Sequence, residues 1–398
     1  MQANIPWALM SHLSVAIAGA GVFGAAAALA LRKRGHEVTL VDPGPLPSPL
    51  AASTDISKVV RREYGTDTFY LDLGEKAIQG FRRWNEEWPE ALYHEVGLLL
   101  LSAGEMKPGG FEYESRRTLL ERGFTPERVT SAMLRERHPA WNADRYPDGI
   151  YQPLSGYARS GKVVERLVLL AREAGVKLRE GEGFSSLLEE GSRVIGFTTS
   201  AGSEIRADRT LLATGAWLGH LLSLEQRLWA TGHPVFHLRP EDPSLFEPGK
   251  FPVFTADIAH TGWYGFPLND GVVKIARHAV GRRIHPEDPR SVTEQDHRDL
   301  RAFLTESIPA LAGAEVVFTR LCLYSDTADG HFWIDEDPQR KGLFVAAGGS
   351  GHAFKFAPVL GDMIADCVEG KEFPGQDRFR WRTEKTEFAS EEEARSRE

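Results

Sequence analysis

Cysteine is nearly absent: Cys322 and Cys367 are the only two in 398 residues. Neither has a CxxC partner, so a disulfide framework and a cysteine-rich metal site are excluded, and a reducing, cytoplasmic setting is expected. Basic blocks are missing too. With a formal charge of -9 and no long run of Lys or Arg, the chain offers no electrostatic footprint for nucleic acid or an anionic bilayer. His and carboxylate residues show neither HExxH nor EF-hand spacing, so no metal is expected. Long apolar runs are also lacking. The stretch 13–31 is broken by Gly19, Gly21 and Gly24 and follows no basic segment, which argues against a signal peptide or a spanning helix. Residues before Met10 have no periodicity and are expected to be frayed. What is present is an ordinary globular composition, 42% apolar and 26% charged, enough for a sizeable core and two or three domain-sized units. A small diffusing substrate is the expected partner, and the chain is expected to be a monomer or small homo-oligomer.

The periodicity predicts a strand over 13–18, a helix over 22–33 and a second strand over 37–41 ending at Asp42, which together make a βαβ unit. Residues 43–53, rich in Pro, Ser and Ala, read as a functional loop that hands over to 55–63 and then a helix. A helix follows at 69–87, then a strand at 95–102 whose different character places a second domain from about residue 90. Further on, helical spacing over 162–174, a strand over 176–180 and a hairpin over 194–199 and 204–207 lead into a strand over 210–214. Residues 226–320 contain many prolines, a β-like run over 251–275 and a helix over 294–305. The sequence then returns to α/β, with a strand over 342–347, a glycine-rich turn over 348–356 and a helix over 358–367. Residues 383–398 are charged and read as a solvated tail.

Gly19-Ala20-Gly21-Val22-Phe23-Gly24 sits between the first strand and its helix. Gly19 permits the tight turn, Gly21 lets backbone approach a pyrophosphate, and Gly24 lets helix and strand pack closely. The helix N-terminus supplies unpaired N–H groups to the anion, and Asp42 is placed to accept from a ribose hydroxyl. This pattern reads as a site for the ADP half of NAD or FAD. Thr214-Gly215, at the end of a later strand and close to Trp217, marks a second turn of the kind a parallel sheet places beside a ligand.

Four later segments resemble the D-amino-acid-oxidase-like superfamily, and within it the monomeric sarcosine oxidase group, which includes N-methyltryptophan, pipecolate and fructosyl amino acid oxidases. They are Asp55-Ile56-Ser57-Lys58-Val59-Val60-Arg61-Arg62-Glu63-Tyr64-Gly65, then Trp263-Tyr264-Gly265-Phe266-Pro267 with Lys274 and His278, then Cys322-Leu323-Tyr324-Ser325-Asp326-Thr327, and finally Gly348-Gly349-Ser350-Gly351-His352-Ala353-Phe354-Lys355-Phe356. The resemblance runs from about Ser14 to Gly370. It implies FAD, covalently attached through Cys322. It also implies a substrate carboxylate held by Arg61 and Lys355, and a Lys274 that promotes the reaction with oxygen. Lys58 stands where the sarcosine enzymes carry a second arginine near the flavin, and its Asp-x-x-Lys setting is similar to the fructosyl enzymes. Ala328 and Gly330 replace the Pro and Glu usual after the cysteine.

The implied fold is α/β: a doubly wound FAD-binding domain (11–90, 151–225 and 321–382) interleaved with a mainly antiparallel β substrate domain (91–150 and 226–320). The expected cofactor contacts are Gly19, Gly21, Val22, Phe23, Gly24, Asp42, Ser53, Lys58, Thr214, Gly215, Trp217, Cys322, Gly349, Gly351, His352, Phe354 and Lys355. Catalytic roles fall to Lys274, His278 and Tyr264, with Tyr264 also touching substrate beside Arg61 and Lys355.

Several of these side chains also admit plainer readings. Arg61 could form a surface pair with Glu63 or Asp55, Lys274 could face solvent, Tyr264 and Cys322 could be core, and His278 could be structural. The expected activity is oxidation of a secondary amine or N-substituted amino acid to an imine, with O2 reduced to hydrogen peroxide. A fructosyl amino acid oxidase, a dehydrogenase using another acceptor and a noncatalytic flavin-binding protein stay open.

Overall fold

The computed structural model describes residues 12–382 and Arg395. Its first sheet has six strands in the order Trp333–Glu336, Leu343–Ala347, Arg209–Leu212, Ser14–Ala18, Glu37–Asp42 and Lys177–Glu180. All neighbours are parallel except the edge strand Trp333–Glu336. A parallel sheet must be covered on both faces, and its central strands are correspondingly buried, Leu343–Ala347 throughout and Ser14–Ala18 beyond its first residue. One face carries the helices Val22–Lys33, Ser160–Glu173 and Ala357–Glu369. They pack closely because the first helix presents an alanine run, and a Cβ on Gly361 would lie 2.6 Å from the Ala26 carbonyl oxygen. The other face is covered by a three-stranded sheet through Val194, Phe197 and Ile205.

The second large sheet has nine strands, nearly all antiparallel, with the run Leu228–Arg239, Val273–Arg277, Trp263–Gly265, Val253–Ala256 and Leu98–Ser102 at its centre. Glu315–Thr327 pairs along nearly the whole of Leu228–Arg239. One face packs Phe236, Leu238, Phe254, Trp263, Val273 and Ile275 against the helix Glu294–Ser307 as a core. The opposite face carries the site. The sequence-based domain boundaries at 150/151 and 320/321 each fall inside a strand of this sheet, Asp148–Gln152 and Glu315–Thr327.

Three expectations are corrected. Residues 55–63 are not simply a loop entering a helix: Lys58–Val60 is a strand paired with Gly156–Ala158, and the helix starts only at Thr68, capped by Asp67. The flanking charges hid a run of only three residues. Phe184–Glu190 is a strand that period-2 reasoning missed, because Ser-Ser-Leu-Leu-Glu-Glu does not alternate. In the tail, 383–394 and 396–398 lie outside the described residues, as do the residues before Met10. Arg395 is buried rather than solvated, because Asp326 offers it a buried carboxylate at 2.7 and 3.0 Å. No helix of the described residues is long and apolar enough to cross a membrane, and no cluster among them could hold a metal ion.

Candidate active site

The glycine turn is built of backbone with no room for side chains. Gly19 has φ +99°, and a Cβ there would lie 2.4 Å from the Ala213 carbonyl oxygen; on Gly24 it would lie 1.8 Å from that of Gly19. Gly21 caps the helix without a side-chain hydrogen bond, and the first turn carries no acidic residue, so the N-terminus is electrostatically suited to an anion. Asp42 accepts from the Ala20 N–H at 2.7 Å and the Gly44 N–H at 2.8 Å, so it braces the turn. A ribose contact would use its remaining lone pairs. Ser53 Oγ accepts from Val22 N–H at 3.3 Å and ties the 43–53 loop to the helix start. Phe23 packs edge-on to Phe332 and lies beside Gly349, linking the first glycine turn to the last. Gly215 opens a short turn that ends at Trp217, whose indole N–H meets Glu287 and whose ring lies under Arg290.

A pocket lies between the second sheet and the turn at 348–356, and its wall includes Lys58, Arg61, Tyr264, His278, Gly351, His352, Phe354 and Lys355. Strand alternation explains why these residues meet. Cross-strand partners share a face, and the pairs Thr255↔Tyr264, Tyr264↔Ala276, Val235↔Ala276 and His237↔Lys274 place one row of residues on the face opposite the core.

Arg61 and Lys355 are both buried, and both border the Tyr64 ring, at 4.5 and 5.0 Å. Lys355 donates to the Tyr64 hydroxyl at 2.7 Å and to the His352 carbonyl at 2.9 Å. His352 bridges Tyr64 and the Gly330 carbonyl through its two ring nitrogens, so its ring organises the turn. At Gly351, φ is +75°, and a Cβ would run into Tyr324 at 2.3 Å and His278 at 2.9 Å. Only glycine lets the last turn approach this wall. Tyr264 is hydrogen-bonded to Tyr324, and burial raises the pKa of both phenols.

This chain matches the model of the FAD-dependent oxidoreductase family over residues 14–367. It belongs to that family. It is 30% identical to an L-saccharopine oxidase of Schizosaccharomyces pombe, over 93% of this chain and 93% of that protein. It is 26% identical to a monomeric sarcosine oxidase of a Bacillus species, over 90% and 93%. The crystal structure of the fructosyl amine:oxygen oxidoreductase Amadoriase I of Aspergillus fumigatus superposes with a TM-score of 0.80 at 25% identity, covering 95% of this chain and 91% of that one.

The oxidoreductase fits its cofactor on structural grounds. Along the path from the glycine turn to the pocket, the buried hydroxyls of Thr54, Ser57 and Thr214 have no hydrogen-bond partner among the described residues, which marks places for ligand atoms. Cys322, a free buried thiol, lies 4.0 Å from both Lys58 Nζ and the Ala52 carbonyl oxygen. Burial disfavours the Lys58 ammonium, but Cys322, Asp55 and Tyr264 outweigh it and raise its pKa.

Lys274 is fully buried, not on a solvated edge. Its ammonium pairs with Asp55 at 2.7 Å, donates to the Ser57 carbonyl at 2.5 Å and faces the Phe266 ring. It is not among the residues that line the pocket, and it is near enough to Lys58 to feel that ammonium's charge. Burial drives its pKa down to about 8 against the pull of Asp55. Burial also works against the Asp55 carboxylate, yet Lys274 and His237 hold its pKa well below the usual range.

Sequence reasoning assigned no role to Tyr64, Asp55, His237, Thr255, Ile258 or Tyr324. Tyr64, Asp55 and Tyr324 stood inside recognised motifs. His237, Thr255 and Ile258 become visible only through strand register or the pocket wall.

Proposed function

We propose that this oxidoreductase oxidises a secondary amine of the N-substituted amino acid class, removing hydride from a carbon next to nitrogen to leave an imine that water hydrolyses. Oxygen is the final acceptor and hydrogen peroxide the product. The observation that carries this reading is the pair of buried cations, Arg61 and Lys355, converging on one pocket. A planar guanidinium beside a point-charge ammonium suits a carboxylate. Tyr264 and His278 form the facing wall and orient the amine; Tyr324 supports Tyr264. FAD, when bound, accepts the hydride and passes two electrons to oxygen. Gly19, Gly21 and Gly24 would hold its pyrophosphate, the 348–356 turn would offer backbone donors to its ring, and Cys322 would attach it. Lys274 supplies positive charge on the oxygen side. The first sheet is read as the cofactor domain and the second as the substrate domain, and the scarcity of cysteine supports a cytoplasmic setting.

A second substrate reading has its own support. Thr255, in an otherwise apolar buried strand, lines the pocket with a hydroxyl that has no partner among the described residues. That hydroxyl would suit a polyhydroxylated N-substituent such as a fructosyl group. A panel of sarcosine, N-methyl amino acids, pipecolate, proline, saccharopine and fructosyl amino acids, read by peroxide release, tests both readings. Failure of every amine to bleach the flavin anaerobically would overturn them. A yellow band that stays with acid-precipitated protein tests attachment at Cys322.

A further inference from the structure

One row of side chains crosses the site face of the second sheet from its interior to solvent. Lys274, His237 and Phe318 are successive cross-strand partners. Their exposures rise from 0% through 8% to 48%. Asp55 joins the first two. One carboxylate oxygen is 2.7 Å from Lys274 Nζ, and the other is 3.4 Å from His237 Nε2. The His237 ring packs on Phe318 at 4.8 Å, and both line, with Asp55, an open cleft that shares no lining residue with the substrate pocket. Arg159, Lys162, Glu165, Asp270 and Arg320 are the other charged groups of that cleft, and Lys58 also faces Asp55.

Resting on the oxidase reading above, we infer that His237 and Asp55 form a proton path from this cleft to Lys274, separate from the substrate pocket. Reduction of O2 to hydrogen peroxide takes two electrons and two protons. The anionic reduced flavin carries both electrons and one proton, so solvent must supply the other. Lys274 gives its proton to the nascent peroxide and becomes a neutral amine. Protonated His237 gives its proton to the Asp55 carboxylate, the resulting acid turns about its Cβ–Cγ bond and passes that same proton to the Lys274 amine, and water in the cleft recharges His237. The balance is one proton in from solvent and one out to peroxide. The Asp55 carboxylate is suited to this because the cation that keeps it ionised is the group that has just been neutralised. With Lys274 uncharged, burial favours the protonated acid. Asp55 and His237 act through Lys274 and are positioning and relay residues.

The test uses the flavin-loaded enzyme and the substitution His237→Ala, which opens onto the cleft and leaves the Asp55–Lys274 pair intact. Stopped-flow reoxidation by O2 should slow by on the order of tenfold or more, with a larger solvent deuterium effect, while anaerobic reduction by substrate stays within about twofold. Added imidazole should restore the rate. A reoxidation rate within about twofold of the unaltered enzyme, or a loss that imidazole does not restore and that leaves the pH profile unchanged, overturns the path. A second readout is independent of turnover. In ring-labelled protein, the His237 ring nitrogen signals should shift on Lys274→Met, because Asp55 lies against both side chains. Unmoved signals overturn the path whatever the enzyme's acceptor proves to be. If dye is reduced but oxygen is not, the oxidase reading fails, while moved signals keep the path.

Discussion

The glycine turn and the site face of the antiparallel sheet solve opposite problems. At the turn, recognition belongs to the backbone: N–H groups are left over at a helix start, and at Gly19 and Gly24 a Cβ would lie 2.4 and 1.8 Å from a carbonyl oxygen, far inside contact distance. On the sheet face the backbone is occupied by its ladders, and recognition belongs to side chains fixed by register. Added atoms therefore destroy the first region, while exchanged atoms retune the second and leave the fold standing.

The sharpest way to break this contrast is Gly24→Ala. The new methyl cannot coexist with the Gly19 carbonyl, so the cost should exceed the roughly 1–3 kcal/mol of ordinary overpacking, and purified protein should lack flavin absorbance and melt early. Flavin-replete Gly24→Ala would show that the turn tolerates what the face is supposed to tolerate.

Lys274→Met should come next. The flavin should be retained, and reoxidation by O2 should fall on the order of a hundredfold while anaerobic reduction changes little. Equal slowing of both steps would remove Lys274 from the oxygen side. The pH dependence has a definite sign. With a pKa near 8, the Lys274 ammonium is complete below that value and lost above it, so reoxidation should be flat on the acid side and decline on the alkaline side. Lys274→Met should abolish that decline.

Arg61→Ala should lower kcat/KM on the order of a hundredfold, mainly through KM, with normal flavin content. A normal KM for every carboxylated amine would deny it the carboxylate. Thr255→Val should have the smallest effect. It removes an unsatisfied hydroxyl at nearly constant volume, so stability should hold or rise. Preference between polar and apolar N-substituents should shift by about two- to tenfold.

The glycine turn was legible because its logic is contiguous: Gly19 and Gly24 leave no room for a Cβ, as their spacing implies, whereas Asp42 braces the turn through the Ala20 and Gly44 N–H groups, a task its spacing did not imply. Alternation within Val273–Arg277 is enough to put Lys274 and Ala276 on one face. It is not enough for the pairing of Lys274 with Asp55 and His237, which depends on which strands are neighbours and in what register. The strand Lys58–Val60 was hidden for a related reason. It is three residues long and is stabilised by Gly156–Ala158, far away in sequence. Arg395 was misread because the charges around it describe composition, while Asp326, buried in another segment, decides where it goes.

The strand Glu315–Thr327 has a consequence for how this enzyme can evolve. Cys322, Tyr324 and Asp326 alternate with Leu321 and Leu323, so the thiol, the pocket tyrosine and the acid that holds Arg395 share one face. Their separation is a ruler of two residues per step. Gain or loss of one residue between them would turn the thiol or the phenol to the opposite side of the sheet. Descendants of this chain can explore new amines here by exchanging letters, but changes of length must be confined to the loops.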